Sequence, residues 1–142
     1  MKIRQAGKDD LKRIVEIFRQ EYARYPYNEK WPKKFAKLRI KNYFKNCKIF
    51  VLEIDDKIQG FVIGSFYIWH NGLRGYIDEV VVTHEFQGLG YGKRLMEFIE
   101  NYFRRKKAKE ISLITSKKSI AYNMYKKRNY IDQFTMMYKR IK

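Results

Sequence analysis

The feature that most constrains the fold is the stretch from Tyr76 to Tyr102, YIDEVVVTHEFQGLGYGKRLMEFIENY. An apolar run, Tyr76 to Val82, enters the loop Gln87-Gly88-Leu89-Gly90-Tyr91-Gly92. The loop opens onto a segment with apolar residues at Tyr91, Leu95, Phe98, Ile99 and Tyr102, which is the spacing of one helical face. A strand, a glycine loop and a helix in direct succession make an anion cradle. The first N–H groups of the helix have no partner, the helix dipole is positive there, and glycine lets the main chain come close to a ligand.

The rest of the chain is arranged around this unit. Lys2 to Gln5 reads as a short strand, and Asp9 or Asp10 offers an N-cap. Leu11, Ile14, Val15, Phe18, Tyr22 and Tyr25 then recur at helical spacing up to Pro26. The loop Tyr25 to Pro32 is rich in aromatics, either the wall of a binding site or a clamp on the core. A second helix is expected over Pro32 to Asn46, with Lys33, Lys34, Lys37, Arg39, Lys41 and Lys45 along it. Strands follow at Lys48–Ile54 and Ile58–Trp69, joined by the turn Asp55-Asp56-Lys57, with Gly60 and Gly64 as bulge points. Asn71-Gly72 is a hairpin signal into the Tyr76 strand. Beyond the helix from Gly90 come a strand at Glu110–Thr115, a helix at Ser119–Arg128 and a closing strand at Ile131–Ile141, straight or kinked near Gln133.

The expected fold class is therefore α/β, a single domain over residues 1–142. Its central sheet is mixed, mostly antiparallel, with six to seven strands and helices on both faces. The crossover through the Gly90 helix makes the Tyr76 and Glu110 strands a parallel pair.

Charge and cysteine usage bound the partners. Lys and Arg number 32 against 15 acidic residues, a net +17, which favours an anionic ligand or partner. The single cysteine, Cys47, excludes an internal disulfide and fits a reducing cytoplasm. No segment reads as a signal peptide or a membrane span, so no membrane partner is expected. His70 and His84 lie far from other ligand-type residues, and no metal site is expected. The loop is neither a P-loop, since Gly92-Lys93-Arg94 lacks the hydroxyl that holds Mg²⁺, nor a dinucleotide fingerprint, since it follows a meander of strands.

Gln87-x-x-Gly90-x-Gly92 between a strand and a helix resembles the acyl-CoA signature of the GNAT family of N-acetyltransferases. Ala121-x-x-x-Tyr125-x-x-x-Asn129-Tyr130 resembles that family's late helix and the turn after it, and the element order is similar over essentially the whole chain. The resemblance implies transfer of acetyl from acetyl-CoA to a primary amine, with CoA as product, by direct attack in a ternary complex. It implies that the parallel pair near 76–82 and 110–115 splays apart to admit the pantetheine arm. By the same resemblance the main chain of Val80, Val81 and Val82 pairs with that arm. Backbone groups of Gln87, Gly88, Leu89, Gly90, Tyr91, Gly92 and Lys93 hold the pyrophosphate, with Arg94 beside them. Tyr125 is then the acid for the departing thiolate, and Glu79, with Asp78 as the alternative, relieves the amine of its proton. In a regular strand these two carboxylates face opposite sides, and a bulge would upset that parity.

This sequence departs from the family pattern at Lys118, where Asn is common and where a lysine could meet a phosphate. Asn129-Tyr130 stands for the usual Gly-Phe, and Gln87 for the commoner Arg. The acceptor, a small molecule or a protein amine, is left open, as is the oligomeric state, with a dimer possible. The competing expectation is a CoA-binding, non-catalytic module that docks its basic surface on nucleic acid or ribonucleoprotein.

Overall fold

A computed structural model describes residues Met1–Lys142. Five strands form one sheet in the order β1 (Lys2–Gln5), β2 (Lys48–Ile54), β3 (Lys57–Trp69), β4 (Gly72–Val82), β5 (Glu110–Leu113). The first four pair antiparallel and β4 pairs β5 in parallel, as the crossover requires. Helices α1 (Leu11–Tyr22) and α2 (Lys33–Asn46) precede β2. Helix α3 (Tyr91–Arg105) crosses from β4 to β5, and the short α4 (Ala121–Lys127) follows.

Each face of the sheet has its own core. On one side Ile14, Ile17 and Phe18 of α1 and Ala36, Ile40 and Tyr43 of α2 meet Val51, Phe61, Ile63 and Val81. On the other, Leu95, Met96, Ile99 and Phe103 of α3, with Tyr125 of α4, meet Leu52, Val62, Ile77 and Val82. Burying each large side chain of this kind contributes roughly 1.5–3 kcal/mol. Phe103 lies so close to the sheet that two strand positions opposite it must be glycine. A Cβ on Gly75 would sit 2.7 Å from its ring and one on Gly64 2.9 Å from it.

Of the places where the structure departs from the sequence reading, three bear on the site. The β3–β4 turn is His70-Asn71, with Gly72 as the first residue of β4 at φ 125°, so the glycine serves the strand entry rather than the turn centre. Helix α1 stops at Tyr22, ahead of Tyr25. The strand expected at Ile131–Ile141 is absent, and the sheet has five strands rather than six or seven. From Ile131 onward no main-chain hydrogen bond forms, and Ile131, Phe134, Met137 and Ile141 are exposed. An apolar-rich run makes a strand only when a ladder receives it. Here the chain leaves the sheet at Tyr130.

Candidate active site

The parallel ladder is short. It runs from Arg74↔Glu110 to Ile77↔Leu113 and stops, while β4 continues to Val82. Beyond Ile77, β4 is paired on its β3 side only. Thr83 N–H donates to Gln59 C=O at 2.9 Å, and antiparallel partners exchange bonds at alternate positions. Val81 therefore turns its main-chain groups to β3, and Val80 and Val82 turn theirs into the gap. The Gln87 side chain enters that gap and donates from Nε2 to Val82 O at 2.8 Å. Of the three valines, Val81 has no free main-chain groups to offer a ligand.

Below the gap, Gly88 (φ 76°) and Gly90 (φ 89°) take the left-handed conformation that bring the chain into α3. Nothing lies within 4 Å of a Cβ built on either, so the space above the loop is open. The N–H groups from Gly88 to Lys93 donate to no protein acceptor, and no side chain caps α3. Lys93 and Arg94 are exposed and outside every ion pair, as is Lys118 in the turn before α4. A row of unpaired N–H groups at a helix N-terminus with free cations beside it fits a pyrophosphate, and an open strand edge leading to it fits an amide-bearing arm. These residues thus fit CoA.

The carboxylates are placed by a bulge. Ile63 lies opposite Glu79 and Gly64 opposite Ile77, which leaves Asp78 with no partner across the ladder. Gly75 and Ile77 face α3, whereas Glu79 and Val81 face α1 and α2. The expectation of opposite faces for Asp78 and Glu79 does not hold, because the extra residue resets the alternation. Both act on α2, since the charge of each raises the Tyr43 phenol, after burial.

Glu79 is buried and receives three donors. Tyr22 Oη of α1 donates to Oε1, Tyr43 Oη of α2 donates to Oε2 at 2.5 Å, and Arg39 Nη2 lies 3.3 Å from Oε2. Burial and the Glu79 charge hold both phenols well above their ordinary range. Asp78 is half-buried and has a single donor, Ser65 Oγ at 2.8 Å. Burial raises its carboxyl above the usual aspartate value, Ser65 opposes this, and Glu79 adds to it. Burial and then the Asp78 charge also push the nearby Cys47 thiol up to about 11, which keeps it a packed thiol.

Tyr125 is buried on α4, and its hydroxyl has no protein partner. Burial raises its phenol first, then Tyr27 and Glu79. The start of α3 reaches it through Gly92, whose Cβ position is 3.7 Å from Met124 Sδ. The aromatic loop closes the other side: Tyr27 packs edge-on against Tyr22 and donates to Ser119 Oγ at 3.2 Å. Behind Tyr125, Asn129 takes φ 70°, the left-handed turn that the sequence allows it. Buried Glu100 of α3 accepts from Tyr130 Oη at 2.8 Å and from the Arg128 guanidinium.

Sequence reasoning missed Tyr22, Arg39 and Tyr43 as partners of the carboxylates, and Glu100 as the anchor of the late motif. Tyr22 and Tyr43 occupy apolar helix positions, where only the phenol tip distinguishes a core residue from a site residue. No helix is long and apolar enough to cross a membrane.

Residues 11–130 match the family model for the Acetyltransferase (GNAT) family. An uncharacterized N-acetyltransferase of Archaeoglobus fulgidus is 36% identical over 109 residues, covering 68% of this chain and 69% of that protein. Another, of Methanocaldococcus jannaschii, is 34% identical over 103 residues, covering 72% of this chain and 59% of its own length. Among solved structures, a possible acetyltransferase from Clostridium difficile 630 superposes with a TM-score of 0.83 at 20% identity, over 98% of this chain and 95% of that one. A predicted acetyltransferase with acetyl-CoA from Clostridium acetobutylicum gives 0.82 at 17% identity, over 99% and 96%. At such identities the structural likeness is one of fold, but the family match spans most of the chain, and the protein belongs to the GNAT family of acetyltransferases.

Proposed function

We propose that this single domain transfers an acetyl group from acetyl-CoA to a primary amine by direct attack while both are bound. The observation that carries the proposal is the β4–β5 gap, which connects the unpaired N–H groups of α3, the free hydroxyl of Tyr125 and the Asp78–Glu79 pair. Acetyl-CoA supplies the acetyl as a thioester. The N–H run from Gly88 to Lys93, with Arg94 and Lys118, binds phosphate. The main-chain groups of Val80 and Val82 line the gap, and the Val80 N–H is the donor placed to polarise a carbonyl lodged there.

The two carboxylates divide the work unequally. Glu79 is already committed to three donors, so its part is to fix Tyr22, Tyr43 and Arg39 around the site and to supply negative charge. Asp78 carries one hydrogen bond and a raised basicity, which makes it the better acceptor for the ammonium proton, directly or through water. This reverses the order of preference that the sequence alone suggests. The Tyr125 phenol stays protonated across the working pH range and has nothing else to donate to. It gives its proton to the sulfur as charge develops there. The experiment is free-thiol release with acetyl-CoA and a broad amine panel. Release that no amine stimulates would remove the transferase reading.

A second reading rests on α2, which holds no acidic residue and whose lysines make no ion pair. In that case the domain holds CoA without turnover and docks this helix on nucleic acid. Retention on heparin that collapses with salt, together with no acetyl transfer, would favour it.

A further inference from the structure

The strongest unassigned feature near the site is Arg39. Its guanidinium lies over two aromatic rings, 5.6 Å from the centroid of Trp31 and 5.3 Å from that of Tyr43. These two contacts narrow the orientations of a side chain that otherwise has much rotamer freedom. Of its donors only Nη2 is engaged, and only at 3.3 Å from Glu79 Oε2; Nε and Nη1 have no acceptor. The side chain is about half exposed, at 48%. A surface arginine with no task would be free to move, and a structural one would spend its fork on the protein. This one is contacted by two rings, half used, and placed beside the carboxylates that receive the amine.

Trp31 carries further positive charge on its flank. A shallow groove of about 380 Å³ is lined by Trp31 with Arg19 and Lys30. Arg19 Nε donates to Trp31 O at 2.9 Å, and the one acid here, Glu29, accepts the indole N–H at 2.9 Å. The acceptor entrance therefore combines a small negative well, Asp78 and Glu79, with a cationic rim of Arg39, Arg19 and Lys30.

From this arrangement we infer that the acceptor is an amino carboxylate, an amine with a carboxylate a few bonds away, and that Arg39 binds the carboxylate while Asp78 and Glu79 face the ammonium. The inference rests on the acetyl-transfer reading above and narrows it. A guanidinium fork matches a planar carboxylate through two parallel hydrogen bonds, and Glu79 takes only one Nη2 hydrogen, which leaves the other Nη2 hydrogen and its Nε or Nη1 neighbour open for that pair. A polyamine would instead place a second cation against Arg39, Arg19 and Lys30, which repel it. The carboxylate could belong to a free amino acid or to an acidic residue at the start of a peptide, and the chemistry at Arg39 is the same.

The test measures CoA thiol release with free amino acids, each against its own carboxamide, and with peptides that begin Asp or Glu against Asn or Gln. The carboxamide has the less basic amine and so the larger neutral fraction, which biases the comparison against the proposal. The expected result is a kcat/KM at least about tenfold higher for the acid, the discrimination a charge-assisted pair supplies. In Arg39→Ala that ratio should shrink to about one, and in Arg39→Lys, which keeps the charge without the fork, it should fall part of the way. Calorimetric CoA binding by the variants shows that they are folded, and the wild-type ratio needs no variant. Activity confined to the peptides assigns the carboxylate to a protein acceptor. A wild-type ratio near one, a preference for uncharged or polycationic amines, or an unchanged ratio in Arg39→Ala overturns the proposal while acetyl transfer stands. Thiol release that no amine raises removes acetyl transfer itself, and the assignment of Arg39 with it.

Discussion

Tyr22, the last residue of α1, donates its hydroxyl to Glu79 of β4, a residue 57 positions further along the chain. With Tyr43 completing the bond from α2, two helices are pinned to the bulged strand through one carboxylate. Glu79 thus ties both helices to the strand, whereas Asp78 beside it keeps a single hydrogen bond, from Ser65, which is why it is the proposed base.

This division is tested by the pH dependence of kcat/KM. Burial and the Glu79 charge raise the Asp78 carboxyl, so a base at this position loses activity as pH falls through a value above the ordinary aspartate range. Asp78→Asn should abolish that acid limb and lower kcat on the order of 10²-fold. Glu79→Gln should lower activity while the limb survives. A limb that persists in Asp78→Asn and vanishes in Glu79→Gln would return the base to Glu79.

Tyr125→Phe removes a hydroxyl that bonds nothing in the protein, so the fold should be unaffected. CoA should bind with unchanged affinity by calorimetry, while kcat falls on the order of 10²-fold. Equal turnover in variant and wild type, on an amine that both accept, would exclude Tyr125 as the acid.

Gly90→Ala places a Cβ at φ 89°, which strains the backbone by about 1–2 kcal/mol although the space is open. The loop should relax toward ordinary geometry and spoil the N–H cradle. In wild type, CoA at a hundred times its Kd should stabilise the protein by about 2.7 kcal/mol, seen as a higher Tm. The variant should keep its ligand-free Tm within a few degrees and lose most of the CoA-dependent rise. A full rise in Gly90→Ala would place the phosphates elsewhere.

Glu100 is the buried partner of Arg128 and Tyr130. Glu100→Ala leaves the Tyr130 phenol without an acceptor and the mostly buried Arg128 guanidinium with only the more distant Glu97, 3.8 Å away, and should destabilise by about 2–3 kcal/mol in urea denaturation. Tyr130→Phe removes one hydrogen bond and should destabilise by about 1 kcal/mol. Since Tyr130 also packs against Tyr125 at 5.8 Å between ring centroids, both variants should weaken activity in proportion to their loss of order around α4.

The legible parts of this chain were those specified locally. The Asp55-Asp56 turn and the hairpin at His70–Gly72 delimit β2, β3 and β4 because turn geometry admits few residue types, and the glycine loop marks the entry to α3. Even the bulge had a signal, since the register shift falls at Gly64, one of two strand glycines that invite it. What the sequence could not display was pairing at a distance. That Tyr22 and Tyr43 converge on one carboxylate depends on α1 and α2 sharing a face of the sheet, and neither helix carries a mark of it. The tail misled for the converse reason. Its apolar content from Ile131 is a property of the segment alone, whereas a strand is a property of two segments.

The bulge at Asp78 has a consequence for how such a site can be altered. With Ile77 already opposite Gly64 and Glu79 already opposite Ile63, the ladder is complete without the residue between them. Asp78 is surplus to the sheet. Deleting it would leave every neighbour facing the side it faces now, whereas inserting or removing a residue elsewhere in β4 would turn the remainder of the strand over. The second carboxylate is thus attached to the fold through chain length, and one codon separates a site with two adjacent acids from a site with one.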